Sequence, residues 1–225
     1  MATGDTAVEL VVFDLDGTIT RRDTLLPYAF GYLLRHPLRL PRLLWLLPAL
    51  LAYAVRLLDR GGLKSVLVRA MFGGLPRAAI DAWSARWLPR LLERGLYAEA
   101  VQAIAAARHR GATLVLLSAS PDLYVPLVGE RLGFGRTLCT ELRWREDGRL
   151  DGRLACANRR GEEKARCVAA LLGELRPAHS RAYGNSPADL AHLGLVSEGV
   201  YVNGRPGTKL PASVHIESWR TPGGV

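Results

Sequence analysis

Residues 10–20 read Leu-Val-Val-Phe-Asp-Leu-Asp-Gly-Thr-Ile-Thr, and this stretch decides the fold. The run from Leu10 to Phe13 is apolar and rich in β-branched residues, which predicts a buried strand. Two carboxylates, Asp14 and Asp16, follow it directly. Charged side chains at a strand end are typical of open parallel sheets, which bind their ligands beyond the carboxyl ends of the strands. The stretch therefore predicts an α/β protein with its site at the end of the first strand.

Two acids one residue apart at a strand end can bind a divalent cation, and one of them can also attack or transfer a proton. A simpler interpretation is a solvated Asp-Gly turn, which is common. The longer string from Phe13 to Thr20 is more specific. It resembles the nucleophile motif of the haloacid dehalogenase superfamily, most of whose members are phosphatases. That resemblance implies that Asp14 is the nucleophile, that Asp16 is the general acid and base, and that Thr18 supports the substrate-binding loop.

The composition describes a folded protein with a strong positive charge. The chain has 225 residues, 49% of them hydrophobic, which is enough for one domain with an insertion. A net charge of +9 favours acidic partners such as phosphoesters, anionic lipid or nucleic acid. Only three of the 30 basic residues are lysines, and an arginine bias can reflect coding composition. Because no basic-aromatic motif or zinc-finger spacing is present, nucleic acid is not expected as a partner.

The cysteines and the first residues bear on localisation. Cys139, Cys156 and Cys167 are odd in number and form no C-x-x-C motif, which is typical of reduced thiols in a cytosolic protein. Met1–Leu10 contains two acids and lacks the basic-then-apolar order of a signal peptide. We therefore expect the catalytic face in the cytoplasm.

The segment from about Arg21 to Arg94 shows helical patterns and no strand pattern. Asp23 and Thr24 can cap a helix over Leu25–Leu34, and further helices are predicted over Leu63–Phe72 and from Pro76 onward. Strands alternate with helices again from Tyr97. The sequence thus predicts a Rossmann-like parallel sheet with helices on both faces, formed by residues 1–20 and 95–225. Residues 21–94 are predicted to form an inserted, all-helical cap.

Leu43–Val55, inside the predicted cap, is a run of thirteen residues without a charge. Arginines precede and follow it, at Arg42 and Arg56 among other positions. A spanning helix needs about twenty apolar residues, and Pro48 interrupts this shorter one. Two interpretations stay open: a buried helix of the cap, or an interfacial helix with arginines at the level of the lipid headgroups of an anionic membrane.

The remaining pattern predicts the rest of the α/β core. Asp147-Gly148 is a hairpin signal between two strand patterns. The predicted elements are a helix over Ala98–Arg110, a strand over Thr113–Leu117, a helix from Pro121, a hairpin of Thr137–Arg145 with Gly148–Leu154, a helix over Gly161–Glu174, a strand over Ser180–Tyr183, and edge strands over Gly199–Val202 and Val214–Glu217.

Ser118 follows the predicted strand that ends at Leu117, in Leu-Ser-Ala-Ser-Pro. A hydroxyl and free backbone N–H groups at such a position suit an anion. Ser120 also fits the N-cap of the helix predicted to start at Pro121. In the resembled family, the first serine or threonine after this strand binds the transferring phosphoryl group. The resemblance therefore implies that Ser118 and the adjacent Ala119 contact the substrate.

Two later segments complete the resemblance. Taken alone, Lys164 would be a surface lysine, but the family places its phosphate-neutralising lysine at the start of this helix. Residues 184–189 read Gly-Asn-Ser-Pro-Ala-Asp where the family pattern is G-D-S-x-x-D, whose acids hold Mg²⁺. Asn185 replaces the usual aspartate, and its amide oxygen is a neutral ligand. An Asn-Ser-Pro turn with Asp189 exposed is the alternative.

By resemblance, Mg²⁺ is held by Asp14, the backbone carbonyl of Asp16, Asn185 and Asp189. The order of segments resembles the branch that includes phosphoserine phosphatases. The Arg-His-Pro at 35–37 and the leucine-rich run after it resemble phosphatidylglycerophosphatase C and its relatives. These features imply a Mg²⁺-dependent phosphomonoester hydrolase that acts through an aspartyl-phosphate on a phospholipid phosphate such as phosphatidylglycerophosphate. The alternatives are a phosphatase for phosphoserine or another small metabolite, a phosphotransferase or phosphomutase, and a non-catalytic membrane-associated binding protein.

Overall fold

The structure is a computed structural model that describes residues 8–219. Its strands, numbered in chain order, are β1 (Glu9–Phe13), β2 (Thr113–Pro121), β3 (Arg136–Thr140), β4 (Leu142–Trp144), β5 (Leu150–Leu154), β6 (His179–Gly184), β7 (Glu198–Val202) and β8 (Val214–Glu217). Its helices are α1 (Leu25–Arg35), α2 (Leu46–Ala54), α3 (Arg60–Phe72), α4 (Arg77–Arg94), α5 (Ala98–His109), α6 (Val125–Leu132), α7 (Glu162–Leu175) and α8 (Leu190–Leu193). Short 3₁₀ segments, Pro37–Trp45 and Pro187–Asp189, precede α2 and α8.

The core is a six-stranded parallel sheet in the order β3-β2-β1-β6-β7-β8. Strand β1 lies between β2 and β6, and its apolar side chains alternate between two hydrophobic clusters. Val11 and Phe13 belong to one cluster, whereas Leu10 and Val12 belong to the other, as the two-residue period of a strand requires. The predicted Rossmann-like α/β fold is confirmed. The ends of β1, β2 and β6 therefore meet at one edge, where such sheets bind ligands.

Three predicted elements are wrong in detail. Strand β2 continues to Pro121, which pairs with Thr140 after an irregularity, so the next helix begins at Val125 and Ser120 is not its N-cap. The predicted strand Thr137–Arg145 is two strands, because β3 joins the main sheet and only β4 pairs with β5. The predicted edge strand Gly199–Val202 lies between β6 and β8, which leaves β8 at the edge.

The chain between Arg21 and Arg94 is helical, as predicted, and comprises α1 to α4 with a 3₁₀ segment. A bridge between Thr20 and Leu96 brings the two ends of this insertion together. Tyr28 of α1 contacts Phe72 and Trp83 of the insertion and Tyr124 before α6, with ring centroids 4.5–5.9 Å apart. Aromatic packing therefore holds the helical insertion against the chain around α6. Its definition as a separate cap domain stays a prediction.

The apolar run at Leu43–Val55 forms the end of a 3₁₀ segment followed by α2. Ala49 is the one buried side chain of α2, whereas Leu47 and Leu51 are 62% and 67% exposed. The interpretation of this run as a buried helix is therefore wrong, although Leu43 packs partly against the core. Within residues 8–219, no helix combines the length and apolar character needed to cross a bilayer.

Candidate active site

Three charged side chains from distant parts of the chain meet at the carboxyl end of β1. Nζ of Lys164, in the first turn of α7, lies 2.6 Å from Oδ1 of Asp14 and 2.7 Å from Oδ1 of Asp189. All three side chains are buried. Buried charges require partners, and here one ammonium bridges two carboxylates. With both carboxylates ionised, the triad carries a net negative charge inside the protein.

Burial and mutual charge shift the pKa values of the triad. Burial raises the pKa of Asp14 to about 7, while the Lys164 ammonium opposes the shift and Asp189 adds to it. Burial would raise the pKa of Asp189, but the Lys164 ammonium outweighs it and holds that pKa low. Burial would lower the pKa of Lys164, but both carboxylates hold it above its usual value. Lys164 is thus the fixed positive charge beside Asp14.

Asp189 is held by the segment that precedes it. Its Oδ2 accepts hydrogen bonds from the Ser186 hydroxyl at 2.6 Å and from the Ser186 and Asn185 backbone N–H groups at 3.0 and 3.3 Å. Because Asp189 is buried, the alternative of an exposed turn is wrong. The Asn185 side chain lies against Gly17, where an added Cβ would be 1.9 Å from Nδ2. Gly17, at φ +80°, allows this approach.

Asp16 faces a different set of partners from Asp14. Its Oδ1 accepts from the backbone N–H and the hydroxyl of Thr24 at 2.8 and 2.6 Å, and its Oδ2 accepts from the Ser120 hydroxyl at 2.6 Å. Burial raises the pKa of Asp16, and the nearby charge of Asp23 adds to the effect. A carboxyl group with a raised pKa holds its proton more readily, which suits a general acid.

The sequence does not identify Thr24 and Ser120 as partners of Asp16, because the local pattern predicts both as helix-cap residues. The Asp23 carboxylate accepts hydrogen bonds from the Leu25 and Leu26 N–H groups at 3.0 and 3.4 Å and caps α1. This leaves the Thr24 hydroxyl for Asp16. The signal in the sequence that points to Ser120 is its two-residue spacing from Ser118, since residues i and i+2 of a strand share a face.

The other predicted residues lie around the triad. The Thr18 hydroxyl donates to Asp14 Oδ2 at 3.1 Å. The Ser118 hydroxyl is buried and accepts from the Ser120 N–H at 3.0 Å. The Ala119 carbonyl accepts from the Thr140 hydroxyl at 2.7 Å and from Lys64 of α3. Ser118 and Ala119 therefore lie in one fixed backbone segment at the end of β2.

A cavity of about 490 Å³ opens at this edge of the sheet. Six of the eight predicted site residues line this cavity. Among the residues that the structure describes, Thr18 and Ser118 do not line it. The cavity also contains basic side chains that the sequence did not single out. The predicted lining residues are Asp14, Asp16, Ala119, Lys164, Asn185 and Asp189, and the additional basic ones are Arg21, Arg22, Arg60, Lys64 and Arg160.

The predicted Mg²⁺ ligands form an all-oxygen set. Among residues 8–219, no three Asp, Glu, His or Cys side chains are arranged to hold a metal ion. Lys164 bridges Asp14 and Asp189, while the Asp16 carboxylate accepts hydrogen bonds from Thr24 and Ser120. The predicted set instead relies on two carboxylates, the Asn185 amide and the Asp16 backbone carbonyl. Because a hard cation binds carboxylate, amide and carbonyl oxygens, these donors fit Mg²⁺.

Comparisons with known proteins identify the family. Residues 11–193 match the family of haloacid dehalogenase-like hydrolases. The chain belongs to this family. It is also 34% identical over 197 residues to protein CicA of Caulobacter vibrioides strain NA1000 / CB15N, a match that covers 85% of each chain.

Solved structures with the same fold extend this result. This haloacid dehalogenase-like hydrolase is similar to a protein of unknown function from Bordetella pertussis Tohama I, with a TM-score of 0.72 and 21% identity over 89% of this chain and 92% of the other. It is also similar to a phospho-aspartyl intermediate analogue of phosphoserine phosphatase, with a TM-score of 0.64 and 16% identity over 93% of each chain. At these identities, the likeness establishes a shared fold.

Proposed function

We propose that this protein is a Mg²⁺-dependent phosphomonoester hydrolase that acts through an aspartyl-phosphate on Asp14. The observation that carries the proposal is the buried contact between Lys164 and both Asp14 and Asp189, at the end of β1 and on the wall of a basic cavity. A buried carboxylate such as Asp14 can act as a nucleophile. The fixed ammonium beside it can neutralise negative charge on the phosphoryl oxygens. Membership of the hydrolase family supports the same reaction.

In the first step, an oxygen of Asp14 bonds to phosphorus as the bond to the ester oxygen breaks. Asp16 gives its proton to that leaving oxygen, so that an alcohol departs and Asp14 carries the phosphoryl group. The raised pKa of Asp16 supports this role, because it favours the protonated carboxyl before the step. The Thr18 hydroxyl, which donates to Asp14 Oδ2, holds the carboxylate in a fixed orientation.

In the second step, a water oxygen bonds to phosphorus while Asp16, now ionised, takes its proton. The bond between phosphorus and Asp14 breaks, and free phosphate and the starting carboxylate result. Lys164 and the segment containing Ser118 and Ala119 neutralise the phosphoryl oxygens in both steps. Asp14, the Asp16 carbonyl, Asn185 and Asp189 would hold Mg²⁺, which would supply positive charge that favours ionised Asp14 and the developing phosphoryl charge.

We further propose that residues 1–20 and 95–225 form the catalytic core, that residues 21–94 form the cap, and that the substrate is a phospholipid phosphate such as phosphatidylglycerophosphate. Support comes from the exposed leucines of the 3₁₀ segment and α2, and from the absence of Asp and Glu between Thr24 and Leu58. Such a surface suits peripheral contact with the inner face of an anionic membrane from the cytoplasm.

The experiment is a phosphate-release screen with Mg²⁺ over phosphoamino acids, sugar phosphates and dispersed phospholipid phosphates. The proposal predicts release of free phosphate that stops with chelator and returns with Mg²⁺. Transfer of the phosphoryl group to an acceptor without free phosphate would identify a phosphotransferase or phosphomutase. Turnover restricted to phosphoserine or other soluble esters would show that the substrate is a soluble phosphomonoester and not a phospholipid phosphate. A lack of turnover on every class of substrate would favour the non-catalytic, membrane-associated binding protein.

A further inference from the structure

Lys64 is a cap residue whose side chain reaches the catalytic core. Its ammonium donates to the Ala119 carbonyl at the end of β2 and to the Asn158 amide oxygen before α7. Both acceptors are neutral, and within residues 8–219 Lys64 forms no ion pair. The Lys64 side chain is partly buried, and the carboxylates of Asp16 and Asp23 act on its charge without forming an ion pair with it, so this position favours a bound anion. An ammonium has three donors, which leaves one N–H for a ligand in the cavity that Lys64 lines.

The net charge of the side chains around the cavity also favours a bound anion. Six cationic and four anionic side chains line it, so the wall carries a formal charge of +2. A bound Mg²⁺ and a phosphoryl dianion cancel each other, so this excess remains when the reacting group is in place. The side chains of Arg22, Arg60 and Arg160 form no ion pair among the described residues and line the same cavity as Lys64.

We propose that this basic wall, defined as Arg22, Arg60, Lys64 and Arg160, binds a second anionic group on the leaving group of the substrate. Lys64 is its specificity-determining residue. The ligand class is a phosphomonoester that carries a further phosphate or carboxylate. This inference rests on the proposed hydrolase function, because it assigns the remainder of the same cavity.

Lys64 contributes most to this recognition because of where its charge lies. The three arginines are exposed, and water and salt screen their attraction for an anion. Lys64 is partly shielded from water, where the same pair of charges attracts more strongly. The contact with Ala119 also ties the cap charge to the backbone segment predicted to hold the reacting phosphoryl group. Lys64 therefore binds the second anionic group at a fixed distance from the reacting phosphoryl group.

The test compares two soluble esters, propane-1,3-diol bisphosphate and propane-1,3-diol monophosphate, which differ only by the second phosphate. We expect kcat/KM for the wild-type protein to be at least tenfold higher with the bisphosphate, beyond the twofold advantage of its two equivalent ends. Lys64→Met should reduce this ratio to about two, whereas Lys64→Arg should keep most of it. The matched control is Lys209→Met, an exposed lysine between β7 and β8, which should leave the ratio unchanged.

A merely structural role of Lys64 would change kcat/KM for both esters equally and keep their ratio, which would overturn the proposal. Arg60→Gln, at an exposed position, should lower the ratio about threefold without affecting folding. A wild-type ratio near two, with normal turnover of the monophosphate, would overturn the proposal and leave the hydrolase function intact. If neither ester is hydrolysed, calorimetric binding of the bisphosphate decides: equal affinity of wild type and Lys64→Met overturns the second-anion site, while the hydrolase function is decided separately by the phosphate-release screen over all substrate classes.

Discussion

Nζ of Lys164 lies 2.6 Å from Oδ1 of Asp14, and both side chains are buried although 150 residues separate them in sequence. Lys164 also contacts Asp189, so one ammonium orients two carboxylates, one directly after β1 and one in the 3₁₀ segment before α8. Burial disfavours the ionised form of Asp14, and the positive charge of Lys164 favours it. The contact therefore links the two properties that a carboxylate nucleophile needs, a defined position and a negative charge.

Asp14→Asn keeps the shape of this side chain and removes its charge. An amide does not attack phosphorus as a carboxylate does, so we expect phosphate release to fall by at least about 10³-fold, the scale typical for loss of a central catalytic group. The measurement is phosphate release at saturating Mg²⁺. The control is Asp81→Asn, at an exposed position of α4, which should retain full activity. More than a trace of activity in Asp14→Asn would exclude it as the nucleophile.

The sequence predicted the positions in this site better than their contacts. Asp14, Lys164 and Asp189 each follow a strand or begin a helix, and the ends of adjacent parallel strands must meet. The hydrogen bonds of Asp16 to Thr24 and Ser120 were not predictable from local pattern, because hydroxyl residues near a helix start look like caps. Only the fold decides whether such a hydroxyl faces its own helix or a distant carboxylate.

The fold errors have a similar origin. Pro121 normally marks a helix start, but here it extends β2, because its neighbour β3 supplies a pairing partner at Thr140. The sequence predicts β7 as an edge strand, but β8 pairs with β7 on the side away from β6 and takes the edge position. In both cases, long-range strand pairing outweighed a local signal, as it commonly does in sheets.

Asn185→Asp tests the amide as a metal ligand. A carboxylate adds a negative charge to the predicted Mg²⁺ site, so we expect activity to saturate at a lower Mg²⁺ concentration, by about tenfold or more. Calorimetric titration with Mg²⁺ should show the same shift without substrate. The matched control is Gln102→Glu, which adds the same charge at an exposed position of α5. An unchanged Mg²⁺ dependence would place Asn185 outside the metal ligands.

The preference for a second anion should depend on pH through Lys64. Burial lowers the pKa of Lys64 to about 8, although Asp16 and Asp23 oppose the shift. Lys64 is therefore cationic below about pH 8 and loses its charge above it. Since kcat/KM reports the free enzyme, the bisphosphate-to-monophosphate ratio should fall as pH rises through about 8. Lys64→Arg should remove this fall, because a guanidinium keeps its charge. A ratio that stays constant from pH 7 to 9.5 in the wild type would contradict the assignment.

The last prediction concerns the apolar surface formed by the 3₁₀ segment and α2. Leu38 is 94% exposed, and Leu47 and Leu51 are more than half exposed. Large exposed apolar patches are typical of interaction sites, and arginines surround this one. Basic groups near anionic lipid contribute about 1 kcal/mol each, so reversible binding does not need a spanning helix.

We expect the protein to sediment with vesicles that contain anionic phosphatidylglycerol, and to do so less as salt rises, because exposed charges are screened over about 10 Å at 0.1 M ionic strength. Leu47→Glu/Leu51→Glu should abolish sedimentation, since it places two negative charges on the contact surface. Val101→Glu/Leu195→Glu is the matched control, because these side chains are 44% and 46% exposed but belong to α5 and the loop after α8. That control should bind as the wild type does. Equal sedimentation of both double variants would show that the surface around α2 does not contact the membrane.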